Sequence, residues 1–363
     1  MTTLTHYGWD CSPYSAKTRS YLTWAGIDFD DVHPQAWGLF RTVKSAVGRP
    51  IMPTVRFADG HWQQDSSAII DEVEATRDGP SIHPVGPRQR LTSYLFELHA
   101  DEWMPTVHMH TRWNRPGNAE FALSEFAREG FPWMPAGLAK ALIRPVRDKM
   151  AGYRPLLGIS TDTTPGIERF AHDLLERLND HFTEHPYLLG TRPCLGDFSL
   201  FGPLWAHLYR DPASTELFRN HTATVAWMER LLAPPGEPGD FLADDAIPAT
   251  LEPILRTLFE EQMTWCRTLV QAINAWCAAN PGATRVPRSL GDAPFVVGGA
   301  EGSRRLITAT QWKLQRVLDA HAALSEADAA TAEAWLDSLG GSLPRVAHPF
   351  VRDGFKMVLA APA

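Results

Sequence analysis

The strand-to-helix junction at residues 9–19 constrains the fold of this chain more than any other segment. Residues 4–9 have the pattern of a short β-strand, and a helix pattern follows Cys11, Ser12 and Pro13. Proline suits a first helical turn because it has no N–H group to leave unpaired there. The free N–H groups and the dipole at a helix start favour negative charge, and cysteine pKa values fall at such positions. The junction therefore predicts chemistry on a thiol.

Strand and helix patterns alternate over the first part of the chain. The predicted elements are a strand at 3–8, a helix at 14–26, strands at 27–32, 51–57 and 61–63, and a helix from Asp65. Asp59-Gly60 is a hairpin signal between the last two strands. This order, β-α-β followed by β-β-α, predicts a thioredoxin-like domain over residues 1–78. A linker rich in proline and glycine follows at 79–87.

The rest of the chain has mainly helical patterns. In residues 88–240 we predict helices at 88–114, 118–130, 136–150, 165–185, 197–211 and 222–233. In residues 241–363 we predict a long helix at 251–280, a hairpin or extended loop around 285–307, and helices at 308–320 and 327–338. The predicted fold class is α+β: a thioredoxin-like βαβ-ββα domain, an all-α domain and a mostly helical C-terminal extension.

Composition argues against several classes of function. The 363 residues carry 34 Lys and Arg against 42 Asp and Glu, and the scattered basic residues do not favour nucleic-acid binding. No apolar run reaches the roughly 18 residues of a membrane span, and the N-terminus lacks signal-peptide character. The cysteines, whose spacing fits neither a disulfide framework nor a zinc site, are Cys11, Cys194, Cys266 and Cys277. We expect a cytoplasmic protein with no membrane, nucleic-acid or metal partner.

Two further motifs in the first domain agree with the junction. Met52-Pro53 places a proline at the start of a predicted strand, which we expect at a sheet edge, where Met52 can pair with a ligand backbone. A cis bond before Pro53 would help this presentation. Asp65-Ser66 begins a helix, whose N–H groups can bind a carboxylate. Each motif alone also fits an ordinary turn or cap, but the three together predict a binding site.

Residues 1–77 resemble the glutathione-binding domain of the glutathione S-transferases. Residues 12–19, Ser-Pro-Tyr-Ser-Ala-Lys-Thr-Arg, resemble the catalytic junction of the serine- and cysteine-type classes. Met52-Pro53 is similar to the family's cis-proline turn, and residues 65–69, Asp-Ser-Ser-Ala-Ile, are similar to its glutamyl-binding motif. The resemblance covers residues 3–233.

In the second domain, residues 190–201 resemble the capping-box helix of the same family. Cys194 stands where the family usually has serine or threonine, and cysteine accepts hydrogen bonds poorly. Asp197 is therefore expected to carry the local hydrogen bonding. Residues 241–363 match no family pattern; we expect either a lid over the interdomain cleft, formed by helix 251–280, or an oligomer surface.

The resemblance implies a glutathione site with a defined role for each motif. The backbone of Met52, next to Pro53, would pair with the cysteinyl residue of glutathione. Ser66 and Asp65 would hold the γ-glutamyl carboxylate and amine respectively. Ser12 would donate a hydrogen bond to the glutathione sulfur and so favour its anion. Glutathione is a substrate in this scheme, not a resident cofactor.

Three residues are candidates for the catalytic group. Ser12 is favoured because the cysteine-type classes carry their cysteine directly before the same proline. Cys11 would instead act as a nucleophile, form a mixed disulfide with glutathione and support thiol transfer or reduction of glutathionyl conjugates. Tyr7 lies near the strand end where other classes use a tyrosine, although tyrosine is also common in strands generally.

The resemblance also places an electrophile between the domains, against the first helices of the second domain. The candidates there are Trp103, His108, Arg112 and Trp113, a set that equally describes a buried helix. His108 and His110 are two apart and face away from each other, whereas helical zinc pairs are four apart. No metal site is predicted from them.

The implied activity is that of a glutathione transferase (EC 2.5.1.18-like), an enzyme of detoxification, acting on a small apolar or aromatic electrophile. A Cys11-dependent reductase and a non-catalytic binding module of the same fold stay open as alternatives. A homodimer is expected as a possible assembly of such a chain.

Overall fold

A four-stranded mixed sheet forms the centre of the first domain in the computed structural model, which describes residues 4–234 and 236–361. Its strands are β1 (Leu4–Tyr7), β2 (Phe29–Val32), β3 (Thr54–Arg56) and β4 (Trp62–Gln64). The strand order is β2-β1-β3-β4; β1 is parallel to β2, and the other two pairs are antiparallel. The predicted thioredoxin-like order is confirmed.

Helices cover both faces of this sheet. The helices of the domain are α1 (Pro13–Trp24), α2 (Ala36–Gly38), α3 (Lys44–Val47) and α4 (Ser66–Thr76), with a π-helical turn at Leu39–Val43 between α2 and α3. On the α1 side, His6 of β1 is hydrogen-bonded to Thr18 at 2.8 Å. On the other side, Leu39, Val43 and Val47 form a small apolar cluster. The sequence pattern predicted no helix or strand for the segment that packs on this second face of the sheet.

The edge position predicted for Pro53 is wrong. β3 lies between β1 and β4, so it is an inner strand. Pro53 precedes the first paired residue, Thr54, and the ladder therefore needs no N–H group from it. A proline just outside an inner strand is compatible with pairing on both sides of that strand.

The second part of the chain is helical, as predicted. Its helices are α5 (Pro87–Leu98), α6 (Met104–Asn114), α7 (Asn118–Gly130), α8 (Ala136–Ala151), α9 (Thr164–Glu184), α10 (Leu195–Pro203) and α11 (Thr222–Leu232). π-helical turns at His99–Trp103 and Leu204–Tyr209 join α5 to α6 and prolong α10. Over the described residues, no helix has both the length and the apolar character to cross a bilayer.

Asp197 carries the hydrogen bonding at the start of α10, as the sequence predicted. Its carboxylate accepts from the Cys194 N–H at 2.9 Å, from the Leu188 N–H at 3.0 Å and from the Trp227 indole at 2.9 Å. Burial raises the pKa of this carboxyl to about 6. The Cys194 thiol is also buried, and burial raises its pKa. Asp197 thus fixes the helix start against two other segments.

The extension is mostly helical, as predicted, and it also contains two β-hairpins. Its elements are α12 (Glu252–Thr257), a π-helical turn at Leu258–Met263, α13 (Thr264–Ala279), β5 (Ser289–Val297), β6 (Ala300–Ile307), α14 (Thr310–Ala322), α15 (Glu326–Ser338), β7 (Phe350–Asp353) and β8 (Lys356–Leu359). The predicted helix over 251–280 and the hairpin at 285–307 are confirmed, whereas the β7–β8 hairpin was not predicted.

One apolar core runs through all three parts of the chain. It extends from Leu4 in β1, through Trp103 between α5 and α6, to Phe350 in β7. Trp103 contacts both Trp265 of α13 and Phe295 of β5 through its ring. The extension therefore packs as a continuation of the other two parts, and the predicted domain boundaries stay predictions.

Candidate functional site

The strand register brings the three sequence motifs to one end of the sheet. Tyr7 is paired with Thr54, and Thr54 with Gln64, so these residues form one row across β1, β3 and β4. β1 and β4 end at this row, while β3 begins there. The segments that leave the sheet at this end are residues 8–12, 51–53 and 65–66.

Ser12 is the N-cap of α1. Its backbone is extended, and its Oγ accepts a hydrogen bond from the Ser15 N–H at 3.3 Å. Among the described residues the hydroxyl has no acceptor, so its hydrogen can be donated to a ligand. Gly8 permits the close approach of the strand end to α1, because a Cβ there would lie 2.7 Å from the side chains of His6 and Ser15. Ser12 is half-buried, which suits contact with a bound molecule.

Cys11, one residue earlier, is buried against the helical domain. Burial raises the pKa of its thiol to about 12, so the thiol is neutral at ordinary pH. Its carbonyl accepts from Arg112 at 2.9 Å and approaches the His207 ring nitrogen at 3.1 Å. The residue therefore anchors the junction through its backbone, and its environment disfavours a nucleophilic thiolate.

Tyr7 lies on the wrong face of the sheet to reach the start of α1. Its ring stacks on Trp62 at 5.2 Å and packs beside the cluster of Leu39, Val43 and Val47. His6, the preceding residue, is the one that faces α1. Neighbouring residues of a strand point to opposite faces, which explains the placement. Burial raises the pKa of Tyr7.

Met52 presents an unpaired backbone beside the row. The Met52–Pro53 peptide bond is cis. β3 begins only at Thr54, and neither the N–H nor the carbonyl of Met52 has a hydrogen-bond partner among the described residues. The Thr54 hydroxyl donates to the Ile51 carbonyl at 2.9 Å and closes the turn. Met52 can therefore pair with an extended ligand, as the motif predicted.

Asp65 and Ser66 form the start of α4. Asp65 has a positive φ of 80°, and its Oδ1 accepts from the N–H groups of Ser67 at 3.0 Å and Ala68 at 3.3 Å. Short polar residues tolerate this backbone region better than most. Ser66 is buried and is the first helical residue, so its N–H lies at the positive end of the helix. The pair has the local geometry of an anion site.

The extension adds a residue that the sequence did not predict. Lys313 of α14 contacts Asp65 Oδ1 at 3.2 Å, Asp101 Oδ2 at 3.1 Å and the Ser67 hydroxyl through its Nζ. Burial lowers the pKa of Lys313, but Asp65 and Asp101 outweigh burial and raise it. Burial likewise raises the pKa of Asp65, but Lys313 and Lys17 hold it below its usual value. Both groups are therefore charged.

Further charges surround this contact. Lys17 of α1 donates to Glu97 and Asp101, each at 2.9 Å, and Arg316 of α14 donates to Glu97 at 2.7 Å. We call the set of Lys17, Asp65, Glu97, Asp101, Lys313 and Arg316 the Lys313 cluster. The signal in the sequence was the presence of charged residues inside apolar helix patterns, but no spacing rule connects positions 65 and 313.

The four electrophile candidates are not brought together in one cleft. Arg112 is buried and donates to Asp211 at 2.6 and 2.8 Å, to Ala206 at 2.8 Å and to Cys11 at 2.9 Å. His207 lies 2.7 Å from it. We call Arg112, Asp211 and His207 the Arg112 cluster. It is structural, because the guanidinium has no N–H left for a substrate.

The other three candidates have different surroundings. His108 packs against His207 with a ring distance of 4.3 Å, and burial lowers its pKa to about 3. Trp113 donates its indole N–H to the Met109 sulfur. Trp103 alone faces the extension, where the Arg304 guanidinium lies 4.8 Å from its ring. The helix between residues 104 and 114 therefore belongs mainly to the core.

The extension reaches the first domain through parts other than the predicted lid. Lys313 and Arg316 of α14 contact Asp65 and Asp71 of the first domain. Arg352 of β7 donates to Gln63 and Gln64 beside β4. Trp265, on the helix proposed as a lid, is buried beside Trp103. α14 is the element that covers Asp65.

The first domain is similar to a known protein family. Residues 7–81 match the family model described as glutathione S-transferase, N-terminal domain. No curated protein sequence matches the chain. The matched range contains Ser12, Met52-Pro53 and Asp65-Ser66 and agrees with the resemblance found in the sequence.

Several solved structures are similar to part of the chain. The β-etherase LigF from Sphingobium sp. strain SYK-6 is 18% identical, with 65% of this chain and 96% of that chain covered and a TM-score of 0.43. A glutathione S-transferase from Methylobacterium radiotolerans, in complex with glutathione sulfonate, is 17% identical, with 68% and 100% covered and a TM-score of 0.40. FzlA from C. crescentus is 14% identical, with 68% and 96% covered and a TM-score of 0.42.

Proposed function

We propose that this chain, which carries a glutathione S-transferase N-terminal domain over residues 7–81, binds glutathione at the sheet end and activates its thiol at Ser12. The observation that carries the proposal is the register of Tyr7, Thr54 and Gln64, which gathers three binding motifs in one place. The proposed reaction is transfer of the glutathionyl group to a small apolar or aromatic electrophile.

Each part of glutathione has a matching group at this end of the sheet. The unpaired backbone of Met52 would pair with the cysteinyl residue of glutathione, in the manner of an added strand. The Ser66 N–H and hydroxyl would hold the γ-glutamyl carboxylate at the start of α4. Asp65 would receive the glutamyl ammonium on Oδ2, because its hydrogen bonds from Ser67, Ala68 and Lys313 all fall on Oδ1.

Ser12 would stabilise the thiolate of bound glutathione. Its hydroxyl would donate a hydrogen bond to the sulfur, and the start of α1 adds a favourable dipole. Lowering a thiol pKa by about two units takes roughly 2.7 kcal/mol. One charge-assisted hydrogen bond, worth about 1.5–3 kcal/mol, is of the required size. The thiol proton leaves to water, and the thiolate then forms a sulfur–carbon bond as the electrophile loses its leaving group.

The surroundings of the other two catalytic candidates support the choice of Ser12. The Cys11 thiol is buried and neutral, and the Tyr7 ring is on the opposite face of the sheet. For the second substrate, Arg112 and His108 offer no support, since both side chains are enclosed in the helical domain. The electrophile class is therefore proposed from the family alone.

Two matched variants test the proposal. Ser12→Ala should retain glutathione binding by calorimetry but lose about 10- to 100-fold in conjugation of 1-chloro-2,4-dinitrobenzene, because it loses one hydrogen bond to the thiolate. Cys11→Ala, at the adjacent position, should change the same rate by less than about threefold. Both variants keep the cap region free of new charge.

Other outcomes would select a different function. Unchanged conjugation in Ser12→Ala, together with loss of thiol transfer in Cys11→Ala, would identify the Cys11-dependent reductase. Retained glutathione with no turnover of any electrophile in the unmodified protein would indicate the non-catalytic module. A protein that does not bind glutathione at all would refute the proposal.

A further inference from the structure

A cavity of about 160 Å³ lies between the helical domain and the extension, apart from the sheet end. α9 forms one wall, and α12 with the following π-helical turn forms another. The turn between β5 and β6 closes the rim at Gly298. At about 30 Å³ for each water-sized group, the cavity has room for about five such groups.

His99 offers this cavity an unused hydrogen-bond acceptor. The side chain is 1% exposed, and its Nδ1 lies 2.8 Å from Gln262 Oε1. The Gln262 amide nitrogen donates to the Leu98 carbonyl, so Oε1 must accept and Nδ1 must carry the hydrogen. Nε2 is therefore a bare lone pair, and it has no partner among the described residues. Such a buried group is costly unless something donates to it.

Glu261 adds a second unused acceptor to the same cavity. Its Oε1 accepts from the Gly299 N–H at 3.4 Å, whereas Oε2 is buried and has no partner among the described residues. Asp173 and Glu260 also line the cavity. Burial raises the pKa of Glu261 to about 7, and Glu260 and Asp173 add to the shift. These two acceptors, His99 Nε2 and Glu261 Oε2, therefore lack a donor among the described residues.

The cationic side chain at the cavity does not supply that donor. Arg177 Nη1 donates to the Pro253 carbonyl at 3.0 Å and to the Thr257 hydroxyl at 2.9 Å. The Thr257 hydroxyl in turn donates to the Pro253 carbonyl. Among the described residues, no hydrogen bond joins Arg177 to His99 Nε2 or to Glu261 Oε2.

A bare divalent ion does not fit the arrangement. In the described part of the chain, the one set of three His, Cys, Asp or Glu ligand atoms within 4.8 Å of each other lies at Asp10, His33 and Glu129, on another surface. No three ligand atoms of this cavity therefore lie within 4.8 Å of one another, so the described residues do not offer a three-ligand metal site. Phe170, Leu174 and Ile254 supply an apolar part of the lining, which suits a short hydrocarbon segment.

We propose that this cavity binds a small aliphatic amine, with the ammonium donating to His99 Nε2 and Glu261 and the alkyl chain against Phe170 and Leu174. A diamine would place its second ammonium near Asp173 and Glu260 at the rim. The site lies outside the region with the glutathione motifs, so it does not depend on the proposed transferase activity.

Calorimetry with the full chain tests the proposal, with 1,4-diaminobutane as the probe. The diamine should bind at least about tenfold more tightly than 1,4-butanediol, which has the same length and no charge. Glu261→Gln should weaken diamine binding about tenfold, and His99→Leu should weaken it less. Glu252→Gln, an exposed substitution on the same helix, should leave it unchanged.

The comparison of diamine with diol uses the unmodified protein, so it tests the proposed amine site even if a variant fails to fold. Equal affinity for the two compounds would overturn the proposal, as would the absence of any heat or thermal shift at millimolar diamine. Zinc alone binding in a His99-dependent way, and excluding the diamine, would show a metal site instead.

Discussion

Two buried ionic clusters contact the first domain, and they differ in how completely they are paired. In the Arg112 cluster, all five N–H groups of the guanidinium have partners, and Asp211 is fully buried. In the Lys313 cluster, Lys313 holds one oxygen of Asp65, while the other oxygen has no partner among the described residues. The first cluster belongs to the helical domain, and the second depends on the extension.

The difference separates a structural cluster from one that can take part in binding. A fully paired buried charge has nothing to offer a ligand, and removing one partner leaves the other uncompensated. An incompletely paired carboxylate at a helix start can still receive an ammonium. If glutathione binds as proposed, the extension contacts its site at the glutamyl end, through Lys313 and Asp65.

The largest expected effect is on stability, from Arg112→Met. This change leaves Asp211 buried without its partner, so the free energy of unfolding should fall by about 3–5 kcal/mol in urea denaturation. Arg305→Met is the matched control, because Arg305 pairs with Asp292 on an exposed hairpin. Arg305→Met should lower the free energy of unfolding by less than about 1 kcal/mol. Equal losses in the two variants would remove the distinction between the buried cluster and a surface pair.

Lys313→Met should have an intermediate effect on stability and lower the free energy of unfolding by about 1–3 kcal/mol. The loss is smaller because Lys17 still neutralises Asp101, and the Asp65 side chain is 26% exposed. The same change removes a positive charge beside Asp65. The affinity for glutathione, relative to an analogue that lacks the glutamyl amine, should therefore rise about tenfold by calorimetry.

The analogue is the control for this second measurement. It keeps both carboxylates and the thiol, so a general loosening of the site would weaken both ligands together. An unchanged ratio in Lys313→Met would show that the glutamyl ammonium does not lie beside Asp65. The stability losses of Lys313→Met and Arg112→Met could still be compared, and that comparison would still distinguish the two clusters.

The smallest effect should come from a more exposed contact between the first two domains. His33 pairs with Glu129 of α7 at 2.9 Å, and Asp31 and Glu129 raise its pKa to about 9. Since the unfolded value is about 6.5, this stabilisation is complete below pH 6.5 and is lost as the pH rises through 9. Because the His33 side chain is 33% exposed, its contact contributes about 1 kcal/mol or less to the free energy of unfolding.

Urea denaturation at several pH values checks this last expectation. The unmodified protein should lose stability between pH 7 and about 9.5, and His33→Gln should reduce that loss. Parallel profiles for the two proteins would show that His33 does not link stability to pH.

The motifs of the first domain were predictable because they are local. A helix start, a proline before a strand and a capping carboxylate are each set by a few adjacent residues, and Ser12, Met52 and Asp65 lie where the sequence indicated. The errors concern relations between elements. Pro53 was assigned to an edge strand because neighbours of β3 cannot be read from its own residues, and Tyr7 faces away from α1 because of strand alternation.

The helix that contains Arg112 also shows that contacts between elements could not be predicted from the sequence. The family resemblance placed a substrate against this helix, with a buried helix as the equal alternative. In the structure, Asp211, Ala206, His207 and the Cys11 carbonyl take all five N–H groups of Arg112. A buried helix and a helix that lines a substrate cleft have similar sequence patterns, since both place large apolar side chains on one helical face. Only the partner residues distinguish them.

The sequence by itself determined the order of the four strands, α1 and α4 in the first domain and the chemistry of its strand-to-helix junctions, because propensity and capping act over a few residues. The tertiary structure alone decided that Lys313 meets Asp65 across 248 positions of the chain. That contact depends on how α14 packs against the first domain, and packing is settled by the burial of many distant side chains at once.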